Sequence, residues 1–149
     1  MSTQLTGEAQ EIAKVFYALA RDIYNGRVAL CAPACVIAGG ETTVTINGNG
    51  KGGRCQEMAL SFLAELADDP DPPRNTTFLA AGTDGNDGPT DAAGAFADSK
   101  ALYASNNANL RAILAKNDSY SFHSEIGTLL KIGSTDTNVA DIYLMTVNH

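Results

Sequence analysis

Residues 47–54 read NGNGKGGR, and four glycines in eight residues can sit inside neither a helix nor a strand without a conformational cost at each. They must form a loop, and the segments beside it fix what that loop joins. Before it, Cys35 to Ala38 is a short apolar run and Thr42 to Ile46 alternates strictly, which predicts two strands around Gly39-Gly40. After it, Met58, Phe62, Leu63 and Leu66 recur at helical spacing until Asp68-Asp69-Pro70 stops them. A strand, a glycine loop and a helix in that order place bare backbone amides, Lys51 and Arg54 at the positive end of a helix dipole. Gly50, Lys51, Gly52 and Gly53 are then candidate anion-binding positions, with Arg54 able to grip a carboxylate or phosphate in bidentate fashion. The plain alternative is a glycine turn carrying two solvated cations.

Elsewhere, Ile12, Val15, Phe16, Leu19 and Ile23 predict an amphipathic helix over residues 6–24, with Thr6 as N-cap and Asn25-Gly26 as its end. Thr77 to Ala81 reads as a buried strand. Helices are expected over 98–105 and 109–116 and from about Ser119, with closing strands over 128–132 and 142–147. Strands interleaved with helices give an α/β layered sandwich: a mixed, about five-stranded sheet with flanking helices. The 149 residues suit one domain, residues 1–149. A net charge of -7 opposes nucleic acid as a partner. The longest uncharged run, residues 28–40, is shorter than the roughly 20 residues of a bilayer span, so no membrane segment is expected. The opening MSTQLTGEAQE has neither a basic start nor an apolar stretch, so the expected compartment is the cytoplasm, or the mitochondrion in a eukaryote. Cys31, Cys35 and Cys55 match no zinc or disulfide pattern and read as buried or half-buried free thiols.

Three further segments carry candidate chemistry. GNGKGG matches the G-x-G-x-x-G of dinucleotide loops, but the acidic residue that should follow the next strand is missing; a Walker A reading fails because Gly52 follows Lys51. The loop GTDGNDGPTDAAG, residues 82–94, gathers Asp84, Asp87 and Asp91 after a strand. Asp84 and Asp87 are candidate Mg2+ ligands, and the alternative is a solvated turn with Asp91 capping a helix. In GSTDTNVAD, Thr135 and Asn138 can hydrogen-bond a phosphate or simply join two strands. Glu41 sits in GGET, where flanking glycines admit a ligand. Asn117 to Tyr120 reads as a helix stop followed by a cap, and His123 as an ordinary helix residue.

Together, GGETTVTINGNGKGGRCQEMAL, LAAGTDGNDGPTDAAGAFAD, KNDSYSF and GSTDTNVADIYL resemble the C-terminal domain of the glycerate kinases that carry the MOFRL domain, from about residue 5 to the end. The resemblance implies phosphorylation of D-glycerate from ATP with Mg2+, in a cleft shared with a Rossmann-like N-terminal domain to which nothing in these residues corresponds. A homodimer is also open. It further implies catalytic positions at Glu41, Arg54 and Asp84: Arg54 neutralising the substrate carboxylate or the moving phosphoryl group, and Asp84 placing magnesium or accepting the hydroxyl proton. Two positions depart from the family pattern, Cys55 for an Asn and Ser134 with Asp136 for Pro and Gly. Hydroxypyruvate reductase and a non-catalytic anion-binding module are the competing readings.

Overall fold

The computed structural model describes residues 2–149. Ten elements follow one another: α1 (Ala9–Tyr24), β1 (Ala34–Gly40), α2 (Arg54–Asp68), β2 (Thr76–Gly82), β3 (Gly94–Asp98), α3 (Ser99–Ala104), α4 (Leu110–Ala115), α5 (Ser119–Glu125), β4 (Leu129–Leu130) and β5 (Asp141–Val147). The five strands form one sheet in the order β1-β5-β2-β3-β4. The expected α/β sandwich with a five-stranded sheet is there, but the sheet is not mixed: all four strand pairings are antiparallel. Parallel pairing is confined, among the described residues, to two isolated bridges, Leu5 to Gly40 and Glu8 to Thr43.

The second bridge explains a misread strand. Thr42 to Ile46 has a strand's alternation, yet the chain leaves the sheet at Gly40, where a Cβ would lie 2.1 Å from the Leu5 carbonyl oxygen. It then runs beside the start of α1, with Ala9 N–H donating to the Thr43 carbonyl at 2.9 Å and Thr43 N–H to that of Gly7 at 2.8 Å. Glu8, not Thr6, is the N-cap of α1, and its carboxylate accepts from the N–H and hydroxyl of Thr45. These bonds hold the Glu8 carboxyl below its usual range. The predicted stripe of α1 is also rotated: Ala9, Ala13, Phe16, Tyr17, Ala20 and Ile23 face the core, whereas Val15 is 50% exposed.

Helix α2 is the centre of the molecule. Eleven of its fifteen residues are buried, as expected for a helix enclosed on nearly every side. It packs on α1, on β2 and β3, and on α4 and α5. Phe62 stacks on Phe78 of β2 at 4.7 Å between ring centres, and Phe78 meets Phe16 of α1 at 5.1 Å. Register places Phe78, Ala97 and Met145 side by side on the helix-facing side of the sheet. The alternate row, Leu79, Phe96 and Leu144, keeps partial exposure, so the helical layer covers one face.

Candidate active site at the loop end of the sheet

Antiparallel order brings the C-terminal ends of β1, β2 and β4 and the N-terminal ends of β3 and β5 to one edge. Residues 41–53, 83–93 and 131–140 leave from that edge, and α2 begins there. Every segment that sequence reading marked for chemistry is therefore gathered at one end of the domain.

Arg54, the first residue of α2, is fixed from beneath. Its Nε and Nη2 donate to the two carboxylate oxygens of Asp141 at 2.6 and 2.9 Å, a fork-to-fork pair. Asp141 opens β5, is only 3% exposed, and accepts a further bond from the Tyr143 hydroxyl at 3.2 Å. Hydrogen bonding to Asp141 holds the Arg54 guanidinium charged beyond its ordinary range, against the opposing effect of burial. Glu41 stands on the outer side with Oε1 3.5 Å from Nη2, and its side chain is 65% exposed. Arg54, Glu41, Thr6, Thr43, Val44 and Gly88 line an open cleft of about 640 Å³. Asp141 was not among the sequence candidates. The signal for it is a lone acid opening a strand otherwise apolar at alternate positions, and in the sequence it merges with the end of the connection GSTDTNVAD.

Four amides of the glycine loop are bound by the protein itself, and no partner is seen for those of Gly52 and Gly53 among the described residues. Asn47 and Gly48 N–H both donate to Asn117 Oδ1 at 2.8 and 2.9 Å, Gly50 N–H to the Lys116 carbonyl at 2.8 Å, and Lys51 N–H to Asp118 Oδ1 at 3.1 Å. The glycines exist for close backbone approach: a Cβ would lie 2.3 Å from Lys116 O at Gly48, 2.5 Å from Asp118 Cβ at Gly50, and 2.1 Å from Ser119 Oγ at Gly52. At Gly53 it would lie 2.3 Å from Asp87 Cγ. Asn117 and Asp118 thus organise the loop as well as ending one helix and opening the next. The dinucleotide reading loses its basis too, since that fingerprint belongs to a parallel strand–helix–strand unit.

The anion at the start of α2 is the protein's own. Asp87, 2% exposed, accepts from the N–H groups of Cys55 at 3.1 Å and Gln56 at 2.8 Å, one on each oxygen. Burial raises its carboxyl to about 6, with the two helix amides pulling the other way. Asp87 is therefore a helix cap and does not fit as a Mg2+ ligand. Asp84 differs: Oδ1 accepts from Asn86 N–H at 3.0 Å, while Oδ2 has no hydrogen-bond partner among the described residues. One open carboxylate fits Mg2+, which binds through one or two protein carboxylates completed by water and phosphates. No group of three or more His, Cys, Asp or Glu side chains among the described residues can hold a metal.

Thr135 and Asn138 are engaged in holding loops together. The Thr135 hydroxyl donates to the Thr83 carbonyl at 2.5 Å, and Asn138 Oδ1 accepts from Ala140 N–H at 3.1 Å. Asp91 caps no helix, because Gly94–Asp98 is a strand; it accepts from Tyr120 and pairs with Lys131. Cys55 is buried, with its thiol pushed well up by desolvation, whereas Cys31 and Cys35 are exposed, contrary to expectation. His123 is fully buried and bridges Thr128 Oγ1 at 2.7 Å and the Gln56 carbonyl at 3.1 Å, and burial lowers it to about 4.

Comparison with known proteins matches this arrangement to one family. The profile of the MOFRL family matches residues 34–141. Rat glycerate kinase is 47% identical over 118 residues, covering 76% of this chain and 23% of that protein. The D-glycerate 2-kinase of Thermotoga maritima is 39% identical over 147 residues, 97% of this chain and 34% of that protein. A crystal structure of the Thermotoga maritima glycerate kinase superposes with a TM-score of 0.90 at 36% identity, covering 99% of this chain and 35% of that one. The chain thus spans about a quarter to a third of the length of the curated relatives it matches.

Proposed function

The chain belongs to the MOFRL family, and from that premise we propose that it is the C-terminal domain of a two-domain glycerate kinase, which transfers phosphate from ATP to D-glycerate. The loop end of its sheet then forms one wall of the active site, opposite an N-terminal domain supplied by the rest of such a protein.

The pairing of Arg54 with buried Asp141 carries this reading. A guanidinium gripped at Nε and Nη2 by a rigid carboxylate cannot swing away, and its remaining N–H groups point to the cleft already oriented. There Arg54 neutralises the glycerate carboxylate or the charge that develops on the moving phosphoryl group. Glu41 contacts Arg54 only loosely, at 3.5 Å, so an incoming anion can replace it on Nη2. Asp84 holds its free oxygen ready for Mg2+ or for the proton of the reacting hydroxyl. Magnesium, when bound with ATP, supplies charge neutralisation along the phosphates.

The test is an ADP-release assay on this chain alone and on a chimera in which it replaces the matching part of the Thermotoga maritima D-glycerate 2-kinase. Turnover that requires D-glycerate in the chimera, and none in the chain alone, is the expected result. A folded chimera without turnover would contradict the reading and favour a non-catalytic anion-binding module.

A further inference from the structure

Beside the Arg54 site, the same loop end carries a second charged cluster. Tyr120, the second residue of α5, has two ammonium groups over its ring: Lys51 Nζ at 4.3 Å and Lys131 Nζ at 5.3 Å from the centroid. Backbone bonds set this geometry. Tyr120 N–H donates to the Lys51 carbonyl at 2.8 Å, and Lys51 N–H donates to Asp118 Oδ1 at 3.1 Å. Lys131, just after β4, donates to Asp91 Oδ2 at 3.0 Å and to the Tyr120 hydroxyl at 3.2 Å, while that hydroxyl donates to Asp91 Oδ1 at 2.6 Å. Four side chains from four separate segments thus meet on one ring.

The charges divide unevenly between the two clusters. Arg54 faces two carboxylates, Asp141 and Glu41, so that cluster is net negative. Lys131 pairs with Asp91, and Asp118 accepts from the Lys51 N–H, but the Lys51 ammonium pairs with no carboxylate among the described residues. Both ammoniums lie on one ring, within a Debye length of about 10 Å of each other, so an anion meets their summed field. The tyrosine face favours cations on it without neutralising them.

We infer that Lys51, Tyr120 and Lys131 form a receiving site for a chain of phosphates, the polyphosphate of a nucleoside triphosphate, with Asp91 as the internal anion that holds Lys131 until the ligand arrives. A chain of phosphates brings several charged groups to the two ammoniums, whereas orthophosphate brings one. This rests on reading the loop end as a phosphoryl-transfer site, and it places the nucleotide's phosphates on the lysine side and the acceptor on the arginine side.

Calorimetric titration of the 149-residue chain with inorganic tripolyphosphate and with orthophosphate tests it. Tripolyphosphate is expected to bind more tightly than orthophosphate and to weaken as salt rises. Lys51→Ala and Lys131→Ala should each weaken it about tenfold, roughly one charge-assisted contact apiece. Asp91→Asn should tighten it, because Lys131 is released, and Lys14→Ala, which removes the same charge from α1, should leave it unchanged. No binding by a chain that circular dichroism shows folded, equal binding by the two lysine variants and the parent, or weaker binding by Asp91→Asn would overturn the site. The titration needs neither glycerate nor turnover, so its failure and the failure of the kinase assay are separate results.

Discussion

Asp141 and Arg54 lie 87 positions apart in the sequence and less than 3 Å apart in the fold. Arg54 was legible because a glycine loop opening a helix is a local pattern; Asp141 was not, because nothing near it announces a partner that arrives through sheet order. Replacing Asp141 by Asn in the chimera should lower kcat/KM about 100-fold, the scale of losing one oriented stabilising donor, with kcat affected more than KM. Asp141→Glu should recover part of the loss, which a purely structural role would not. Stability should fall by about 2 kcal/mol, less than for a fully buried pair because the Arg54 side chain is one-third exposed. Two buried groups should tilt the pH profile in opposite directions. His123 sits at about 4 against an ordinary 6.5, so the stability it gives is present above 6.5 and is lost as pH falls toward 4, by about 3 kcal/mol in all. Asp87 sits at about 6 against 3.8, so its contribution is present below 3.8 and is lost as pH rises through 6. Urea unfolding between pH 4 and 7 should therefore rise less steeply with pH in His123→Gln than in the parent, and more steeply in Asp87→Asn. Parallel slopes in the three proteins would remove both assignments.

Among the elements, the helices were legible by period and the strands only where branched residues marked them. Strand β3 is GAFAD, with three of five residues Gly or Ala, and composition alone gave it no strand signal. Its small residues are required: a Cβ at Gly94 would stand 1.9 Å from the Ala80 carbonyl oxygen. Thr42 to Ile46 erred in the other direction, because local alternation cannot reveal that the chain beyond Gly40 pairs with residues 7–9 instead of continuing in the sheet. The glycine loop shows the same lesson, since its pattern identified a loop but not the neighbour that needs it bare. Gly48→Ala should cost about 3 kcal/mol in thermal unfolding, because the clash is with the Lys116 backbone. Gly127→Ala should cost only about 1 kcal/mol, for a φ of +72° with nothing within 4 Å. Equal costs would mean that the loop does not seat against residues 116–119 as described.

For the molecule as a whole, antiparallel order turns separate motifs into one working edge. The sheet places three loops and the start of α2 together, α2 is clamped on nearly every side, and the two charge clusters share that edge. Motif order was legible, and with it the family; the division of labour among polar residues was not, because Asp87, Thr135, Asn138 and the loop amides look the same in sequence whether they hold a ligand or the protein itself. What remains facing the cleft is Arg54, and the account stands on it. The most direct measurement is D-glycerate-dependent ADP release by the chimera with Arg54→Ala beside the unaltered chimera. A fall of at least about 100-fold with the fold intact is the predicted result, and a rate close to the parent's would contradict the assignment of this edge as the active-site wall.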